Sequence, residues 1–444
     1  MGSRDRTFVG FGFGPIQAGL FLYEAFHSEN FRRLVVAEVM PDVVEAVRRH
    51  GDRYSVNVAH FDGVRTSTIG PVEIYDPGVD SGRERLIEAV AEAEEMATAV
   101  PSVTHYASAS PGSIHRLLAE GLRRKAVRNG PRAIIYAAEN HNHAAELLEQ
   151  AVLKELPAPE RAAVSDRAQF LNTVIGKMSG VVEDAGQADR LALAPMAPGA
   201  RRAFLVEAFN RILISRVDSG RGFSRGIAVF EEKDDLLPFE EAKLYGHNAT
   251  HALAAYVAAL RRIERLADLA RHPHLLGLVR DAFLDESGAA LIRKHGGIDP
   301  LFTPEGYRAY ADDLLRRMTN PFLLDTVERV GRDPRRKLGW NDRLIGTVRT
   351  ALAADVEARR YAFGAVAALA RLDKGAPGSA ETCTGLLDDI WRADSPDQRE
   401  RAAVLRLLER ERLRLAEWRH RGFPALRALF AAATMGDCTE NASW

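Results

Sequence analysis

The stretch TFVGFGFGPIQAG, residues 7–19, combines a short apolar run, a glycine-rich turn and the start of an apolar helix. A strand, a Gly-x-Gly turn and a helix in this order indicate a dinucleotide-binding domain, because the helix N-terminus then offers backbone N–H groups to a pyrophosphate. Gly12 permits the tight turn, and Gly14 lets the backbone approach the ligand. Gln17 replaces the third glycine of the G-x-G-x-x-G fingerprint, and Gly19 is the alternative for a close helix–strand approach.

A second apolar run, residues 34–37, ends at Glu38, about 24 residues after Gly14. An acidic side chain at this place accepts hydrogen bonds from the ribose and repels a 2′-phosphate, which predicts NAD rather than NADP as the cofactor. The predicted cofactor-binding residues of this segment are Gly12, Phe13, Gly14, Pro15, Ile16, Gln17 and Glu38. The alternative is a glycine-rich turn in an unrelated α/β protein.

Strand candidates alternate with helical stretches through the first half of the chain. The candidates cover residues 7–11, 34–39, 96–100 and 133–137. This alternation predicts a parallel, doubly wound sheet of the Rossmann type. We expect residues 51–80 to form an insertion on that sheet. Residues 170–182 and 203–230 carry further β-like runs that extend it, and residues 184–202 between them form a loop.

The character of the sequence changes after Pro238. From residue 239 to residue 432 the pattern is helical and rich in Ala, Leu and Arg. The predicted fold is therefore α/β plus all-α. An N-terminal Rossmann-type, doubly wound domain with an extended sheet covers residues 1–238, and a C-terminal helical domain covers residues 239–444.

The bulk composition excludes several classes of function. With 444 residues and a net charge of −1, the chain has room for two or three domains and lacks the basic field that nucleic acid or an anionic membrane requires. Its two cysteines, Cys383 and Cys438, argue against a disulfide scaffold and a structural zinc site. No apolar run reaches the roughly 18 residues of a membrane span. The first strand begins too early for a signal peptide, so we expect a cytoplasmic protein.

Lys243, Asn248 and His251 form the pattern K-x4-N-x2-H in a stretch that predicts a helix. At about 100° per residue they fall near 0°, 140° and 80°, so one broad face carries an amine, an amide and an imidazole. A buried amine can take a proton from an alcohol, an amide N–H can stabilise the resulting oxyanion, and an imidazole can orient the amine. With a hydride acceptor beside it, this set suffices for moving hydride to or from a C–OH carbon without a metal. A solvated lysine and a satisfied core histidine are the plainer alternatives.

The run His141-Asn142-His143 has the composition of a metal-binding pair. Neighbouring side chains at the start of a helix point apart, and no acidic partner follows at a suitable spacing. We therefore expect no metal site.

These features together resemble the polyol-specific long-chain dehydrogenases, most closely the mannitol-1-phosphate 5-dehydrogenase branch. The resemblance rests on K-x4-N-x2-H-A at residues 243–252, on Ala138-Glu139-Asn140 before a helix, on Thr98-Ala99-Val100, and on the basic segment 327–345. It implies a Rossmann-type domain with an enlarged sheet, followed by a helical domain.

The resemblance also implies roles for these residues. Lys243 would be the general base in alcohol oxidation and the general acid in ketone reduction. Asn140 and Asn248 would hold the carbonyl oxygen, and His251 would hold Lys243 or a substrate hydroxyl. The residues implied to line the nicotinamide are Thr98, Ala99, Val100 and Asn140.

The substrate implied by the resemblance is a small sugar or polyol, phosphorylated, with mannitol 1-phosphate and fructose 6-phosphate as the leading couple. Lys177, Arg336 and Lys337 are the candidate phosphate ligands, and ion pairs between helices or at the surface are their plainer role. The stretch NTVIGK, residues 172–177, departs from the family's D-R-I-x-P stretch, which lines the substrate site.

Other substrates are therefore open alternatives: a non-phosphorylated polyol, a sugar acid or a specialised pathway intermediate. A non-enzymatic NAD-binding protein is the alternative from another class of function. We expect a monomer or a weak homo-oligomer, without nucleic-acid or membrane partners.

Overall fold

The structure is a computed structural model, and it describes residues 6–372 and 379–422 together with Leu426 and Phe430. The chain divides between Leu237 and Pro238 into two compact units. Cys383 is buried, whereas Cys438 lies outside the described residues.

The strands of the described residues all lie in the first unit. They are β1 (Arg6–Phe11), β2 (Phe31–Ala37), β3 (Tyr54–Ala59), β4 (Val64–Ile69), β5 (Glu73–Tyr75), β6 (Glu95–Thr98), β7 (Ala133–Ala137), β8 (Ala168–Val174), β9 (Ser179–Val182), β10 (Ala203–Glu207), β11 (Leu213–Ser215) and β12 (Glu231–Lys233). Two of them are shifted from their predicted bounds: β2 begins and ends before 34–39, and β6 ends before Val100.

Eight strands form the main sheet, in the order β12-β11-β8-β7-β6-β1-β2-β5. Across the sheet, the six strands β8, β7, β6, β1, β2 and β5 are parallel to their neighbours. In contrast, β11 is antiparallel to β8. The order β5-β2-β1-β6-β7-β8 is that of a doubly wound fold, which places a ligand crevice at the carboxyl ends of β1 and β6, where the strand order reverses. The predicted fold class is confirmed.

The strands are nearly continuous apolar runs because both faces of the sheet are covered. In β1, Phe8 packs into the core on one face, whereas Val9 and Phe11 pack into the core on the other. Alternate side chains of a strand point to opposite faces, so a doubly buried parallel strand has few polar positions. The helices of this unit are α1 (Leu22–His27), α2 (Pro41–Arg49), α3 (Asp80–Glu92), α4 (Ile114–Val127), α5 (Ala144–Glu155), α6 (Ala158–Arg167) and α7 (Ala185–Arg190).

A second, four-stranded sheet corrects the prediction for three parts of the chain. Its order is β4-β3-β10-β9, so β3 and β4 of the predicted insertion at residues 51–80 share a sheet with strands that were expected to extend the main sheet, whereas β5 joins the main sheet. Only β8, β11 and β12 extend the main sheet at that side. The expected loop at residues 184–202 contains α7. Periodicity identifies a strand but not its partner, which explains the error.

The second sheet packs directly on the glycine-rich segment after β1. The Phe13 ring lies 4.9 Å from the Tyr54 ring and 5.5 Å from the Phe204 ring, measured between centroids. The Tyr54 hydroxyl donates to the Ala18 carbonyl at 2.8 Å. A Cβ on Gly19 would lie 2.5 Å from a methyl of Val206 in β10, so the close approach at Gly19 is to the second sheet and not, as expected, to β1.

The described part of the second unit is helical. Its α-helices are α8 (Leu237–Glu241), α9 (Ala249–Leu260), α10 (Pro273–Ala282), α11 (Ala289–His295), α12 (Pro304–Met318), α13 (Val327–Gly331), α14 (Pro334–Lys337), α15 (Ile345–Ala353), α16 (Arg359–Leu372), α17 (Ala380–Trp391) and α18 (Gln398–His420). The alanine-rich α9 is central, and Gly364 of α16 lets that helix approach Leu253 closely. None of the helices in the described residues is long and apolar enough to cross a membrane.

Candidate functional site

The loop of residues 12–17, here called the nucleotide loop, joins β1 to the helix that follows. Gly12 has a φ of +83°, its N–H donates to the Ala37 carbonyl at 3.0 Å, and an added Cβ would lie 2.8 Å from the Ala99 carbonyl oxygen. This turn therefore requires glycine. A Cβ on Gly14 would meet nothing within 4 Å, and Pro15 and Ile16 are the first helical residues after it. The open side at Gly14 and the helix N-terminus fit a pyrophosphate.

The departure of Gln17 from the fingerprint has a partner in the strand. A Cβ on Gly10 would collide with the Gln17 side-chain amide, so the strand and not the helix carries the glycine that makes room. Gln17 is fully buried, and among the described residues neither its side-chain nitrogen nor its oxygen has a hydrogen-bond partner. It begins a π-helical turn, Gln17–Phe21.

Glu38 lies at the carboxyl end of β2 and braces the nucleotide loop. Its carboxylate accepts the Phe13 N–H at 3.0 Å and the Met40 N–H at 2.8 Å, and the residue is only 8% exposed. Burial raises the pKa of this carboxyl above its ordinary value, while the backbone N–H groups and the Arg202 guanidinium lower it. A carboxylate at this strand end fits the ribose of a dinucleotide, so the residues present fit such a cofactor.

The predicted nicotinamide-lining residues lie at the same edge of the sheet, after β6 and β7. The Ala99 N–H donates to the Phe11 carbonyl at 3.0 Å, which ties the end of β6 to the end of β1. The Thr98 hydroxyl and the Val100 N–H both donate to the Glu139 carboxylate at 2.9 Å. Asn140, the next residue, is exposed just beyond β7.

Glu139 holds the predicted nicotinamide-lining residues, although the sequence analysis quoted it without assigning it a role. It is buried, it accepts a further hydrogen bond from the Tyr106 hydroxyl, and burial raises its pKa. Through these bonds it positions the loop after β6. An acidic residue directly after a buried parallel strand is the signal that could have identified it, because the carboxyl ends of such strands meet at one edge.

The stretch that departs from the family pattern has structural contacts of its own. Asn172 accepts the Ala145 N–H at 2.9 Å, near the start of α5. The Lys177 ammonium donates to the carbonyls of Glu207 and Phe209, at 2.6 and 2.7 Å. These bonds hold the loop after β10. The proposed contact of Lys177 with substrate stays a prediction.

In the second unit, Lys243 and Asn248 lie in a π-helical segment, Ala242–Asn248, here called the lysine segment. A π-helix joins residues five apart by backbone hydrogen bonds. Residues 243 and 248 therefore lie closer to one face than the 140° that an α-helix predicts, which corrects that angle. His251 follows in α9 and is partly buried.

Glycines let the lysine segment pack against a second π-helical turn, Phe283–Gly288. A Cβ on Gly246 would lie 2.7 Å from the Phe283 ring and 2.8 Å from the Tyr307 hydroxyl. A Cβ on Gly288 would lie 2.7 Å from the Tyr307 ring. Larger residues at these two positions would force the turns apart, and Lys243 would lose its surroundings.

The Lys243 amine has a pKa well below that of a solvated lysine. Its pKa is lowered to about 8, mainly by burial and also by the Arg343 guanidinium, while Glu240 acts in the opposite direction. A group with a pKa near the working pH can both take and give a proton. The arrangement can therefore move a proton at neutral pH.

His247 is a second residue that the sequence analysis did not assign. It is buried, its ring lies 6.2 Å from that of His251, and burial lowers its pKa well below the ordinary value. The charge of Arg317 and then those of His251, Lys243 and Arg343 lower it further. His247 is thus neutral, and the spacing of four residues to His251 is the signal for a shared face.

His251 meets an acidic partner that lies 74 residues further along the chain. Its Nε2 atom is 3.5 Å from an Asp325 carboxylate oxygen, and Asp325 is itself buried and paired with Arg329. A buried carboxylate of this kind orients an imidazole. Sequence spacing gave no indication of Asp325.

Arg343 is the centre of a positive group. Its charge lowers the pKa of both Lys243 and Lys337. We call these three residues the basic cluster. Arg343 is mostly buried and pairs with Asp342 at 2.8 Å. Lys337 is buried, donates to the Arg332 carbonyl, and has its pKa lowered to about 8, mainly by burial.

Arg336 is more exposed than the residues of the basic cluster, and its charge also lowers the pKa of Lys337. Its side chain is 55% exposed and its Nε atom is 3.2 Å from Asp333. It lines a surface cavity with Trp340 and Asn341. The assignments of Arg336 and Lys337 to a phosphate stay predictions, as does the absence of a metal. Among the described residues, no three side chains of His, Cys, Asp or Glu converge.

Comparison with protein families gives two matches. The family model described as the mannitol dehydrogenase Rossmann domain matches residues 6–195. The one described as the mannitol dehydrogenase C-terminal domain matches residues 235–409. Together they cover most of both units.

Individual relatives agree with these matches. The chain is 30% identical over 359 residues to mannitol-1-phosphate 5-dehydrogenase from Bacillus licheniformis, covering 81% of this chain and 86% of that protein. It is 30% identical over 340 residues to the Bacillus subtilis enzyme of the same name, covering 76% and 81%.

Two solved structures share the fold. D-sorbitol dehydrogenase superposes with a TM-score of 0.73 at 16% identity, covering 95% of both chains. Mannitol 2-dehydrogenase from Pseudomonas fluorescens, in a complex with NAD and D-mannitol, superposes with a TM-score of 0.68 at 15% identity, covering 97% of this chain and 94% of that one.

Proposed function

The chain belongs to the mannitol dehydrogenase family, and from that premise we propose that it interconverts a polyol phosphate and a sugar phosphate, most closely mannitol 1-phosphate and fructose 6-phosphate. It is a polyol dehydrogenase with NAD as its cofactor. When bound, NAD accepts hydride from the substrate C–OH carbon, or NADH returns it. Residues of the chain carry out the proton transfer and stabilise the developing charge.

Lys243 takes the hydroxyl proton during oxidation and returns it during reduction. Its pKa of about 8 keeps both the amine and the ammonium available near neutral pH, and this is the observation that carries the proposal. The side-chain N–H of Asn248, on nearly the same face, stabilises the developing oxyanion. Asn140 keeps the same proposed role. His251, which lies beside the Asp325 carboxylate, holds the Lys243 side chain or a substrate hydroxyl in position.

The basic cluster supports an anionic substrate. Arg343 acts electrostatically on both lysines, lowering the pKa of each where burial already disfavours positive charge. An anion relieves that repulsion, and arginine binds phosphate through two parallel hydrogen bonds. We therefore place the phosphate on Arg343 and Lys337, and retain Arg336 and Lys177 as further candidates.

A substrate panel tests the proposal. NADH oxidation is measured with fructose 6-phosphate, fructose and a keto-uronate. We expect fructose 6-phosphate to have the highest kcat/KM. Preference for fructose would refute the phosphate, and preference for the keto-uronate would identify a sugar acid, whose carboxylate an arginine binds equally well.

The role of Arg343 is best isolated at pH 6.5 in the direction of ketone reduction. Lys243 is then protonated in either protein, so a changed pKa does not affect turnover. We expect Arg343→Ala to raise KM for fructose 6-phosphate by about 10- to 100-fold, with a smaller change in kcat, since hydrogen bonds to a charged group contribute about 1.5–3 kcal/mol. Arg336→Ala is the matched variant, and a larger effect there would move the phosphate to the exposed arginine.

A further inference from the structure

The second sheet contributes a cationic side chain beside the ribose end of the nucleotide loop. Arg202 immediately precedes β10, and its Nη1 atom lies 3.0 Å from the sulfur of Met40. The N–H of the same Met40 binds the Glu38 carboxylate at 2.8 Å. Arg202 and Glu38 therefore both contact Met40, although they are far apart in the sequence.

Glu38 is less able to repel a phosphate than the sequence implies. Its two carboxylate oxygens already accept backbone N–H groups from Phe13 and Met40, which stabilise the negative charge. The Arg202 guanidinium compensates it further, since it lowers the pKa of Glu38 against the effect of burial. The part of the site that would hold the ribose thus carries the Glu38 carboxylate and the Arg202 guanidinium together.

Arg202 is also available to a ligand. Its side chain is 31% exposed, and it pairs at 3.1 Å with Glu183, whose side chain is 63% exposed. Ion pairs in contact with solvent contribute little, so an incoming phosphate can compete with Glu183. An arginine near the end of the second strand is the residue type that accommodates a 2′-phosphate in dinucleotide-binding domains.

We propose that Arg202 gives the cofactor site affinity for a 2′-phosphate, so that the chain binds NADPH in addition to the preferred NADH. The proposal rests on the dinucleotide site of the proposed function. It assigns the second sheet a role in cofactor choice.

The test is calorimetric titration of the full chain with NADH and with NADPH, without substrate. We expect the wild-type chain to bind both, with NADH bound more tightly. Arg202→Ala should weaken NADPH binding by about 10- to 100-fold, the effect of losing hydrogen bonds to a charged group, and change NADH binding by about twofold or less. Arg201→Ala, the adjacent exposed arginine, is the matched control and should leave the ratio of the two affinities unchanged.

A second variant acts in the opposite direction. Glu183→Gln removes the competing carboxylate and should strengthen NADPH binding, while the melting temperature without ligand shows that each variant is folded. Undetectable NADPH binding by the wild-type chain, or equal losses for both nucleotides in Arg202→Ala, would overturn the proposal. Failure to bind either nucleotide would instead refute the dinucleotide site itself.

Discussion

The nucleotide loop leads into a π-helical turn and the lysine segment is itself π-helical, but different chemical groups form the two regions. The nucleotide loop presents backbone and glycine, braced by the Glu38 carboxylate, which accepts the Phe13 N–H. The lysine segment presents side chains whose charges act on one another. Arg343 lowers the pKa of Lys243, and Lys243 in turn lowers the pKa of His247. A backbone site depends on space, whereas a side-chain site depends on protonation.

This difference predicts how each region responds to change. Adding a methyl group should disturb the nucleotide loop and leave its pH dependence unaltered. Removing a charge should change both the rate and the pH dependence at the lysine segment. Variants of the two regions therefore test the contrast directly.

The largest effect is expected at the lysine segment. Lys243→Ala should lower kcat by about 10²–10⁴-fold, the usual contribution of a general acid–base group, and should leave NADH binding nearly unchanged. Steady-state kinetics and a cofactor titration measure the two quantities. Lys294→Ala, which removes an exposed lysine paired with Glu241, is the control. Near-normal turnover of Lys243→Ala would remove the lysine mechanism.

At the nucleotide loop, Gly14→Ala should raise the Kd for NADH by about tenfold, since overpacking typically costs about 1–3 kcal/mol. The melting temperature without ligand should not change, because a Cβ there meets no atom of the chain within 4 Å. Gly180→Ala in β9, where the space is equally open, is the matched control. Unchanged affinity in Gly14→Ala would show that the cofactor does not approach the backbone at this glycine.

A smaller effect is expected on the pH profile. Arg343→Gln removes a positive charge that lowers the pKa of Lys243, so that pKa should rise above about 8. Alcohol oxidation requires the neutral amine, so its rising limb should move to higher pH. Measurement of kcat from pH 6 to 10 tests this, with Arg336→Gln as the exposed comparison. A shift to lower pH in Arg343→Gln would contradict the assigned charge coupling.

No effect is expected from chelation. Prolonged treatment with EDTA should leave activity intact, because Lys243 supplies the proton transfer that a metal-bound water would otherwise provide. Activity is compared before and after dialysis, with zinc added back. Loss on chelation with recovery on zinc would replace the lysine mechanism with a metal.

The same contrast explains what the sequence could predict. The positive φ of Gly12 and the open space at Gly14 follow from a local pattern, as does the spacing of Lys243, Asn248 and His251. Strand pairing between β3 and β10 does not, because the paired residues lie about 148 positions apart and either strand could have joined the main sheet.

The partners of the site residues also lay beyond local pattern. Arg343 acts on Lys243 across 100 positions, and Asp325 meets His251 across 74. Each was visible only as one charged residue among many. The π-helical form of the lysine segment was not predicted either, and the approach of Gly246 to Phe283 within it is a tertiary contact that a local pattern does not show.

The Gly10–Gln17 pair has a consequence for how such a fingerprint can change over generations. Introducing alanine at position 10 first would drive a Cβ into the Gln17 amide, whereas introducing glycine at position 17 first leaves only a cavity beside the strand. The two substitutions are therefore not interchangeable in order, and their effects on stability are not additive. A lineage can move between the two forms of the motif through one intermediate far more readily than through the other.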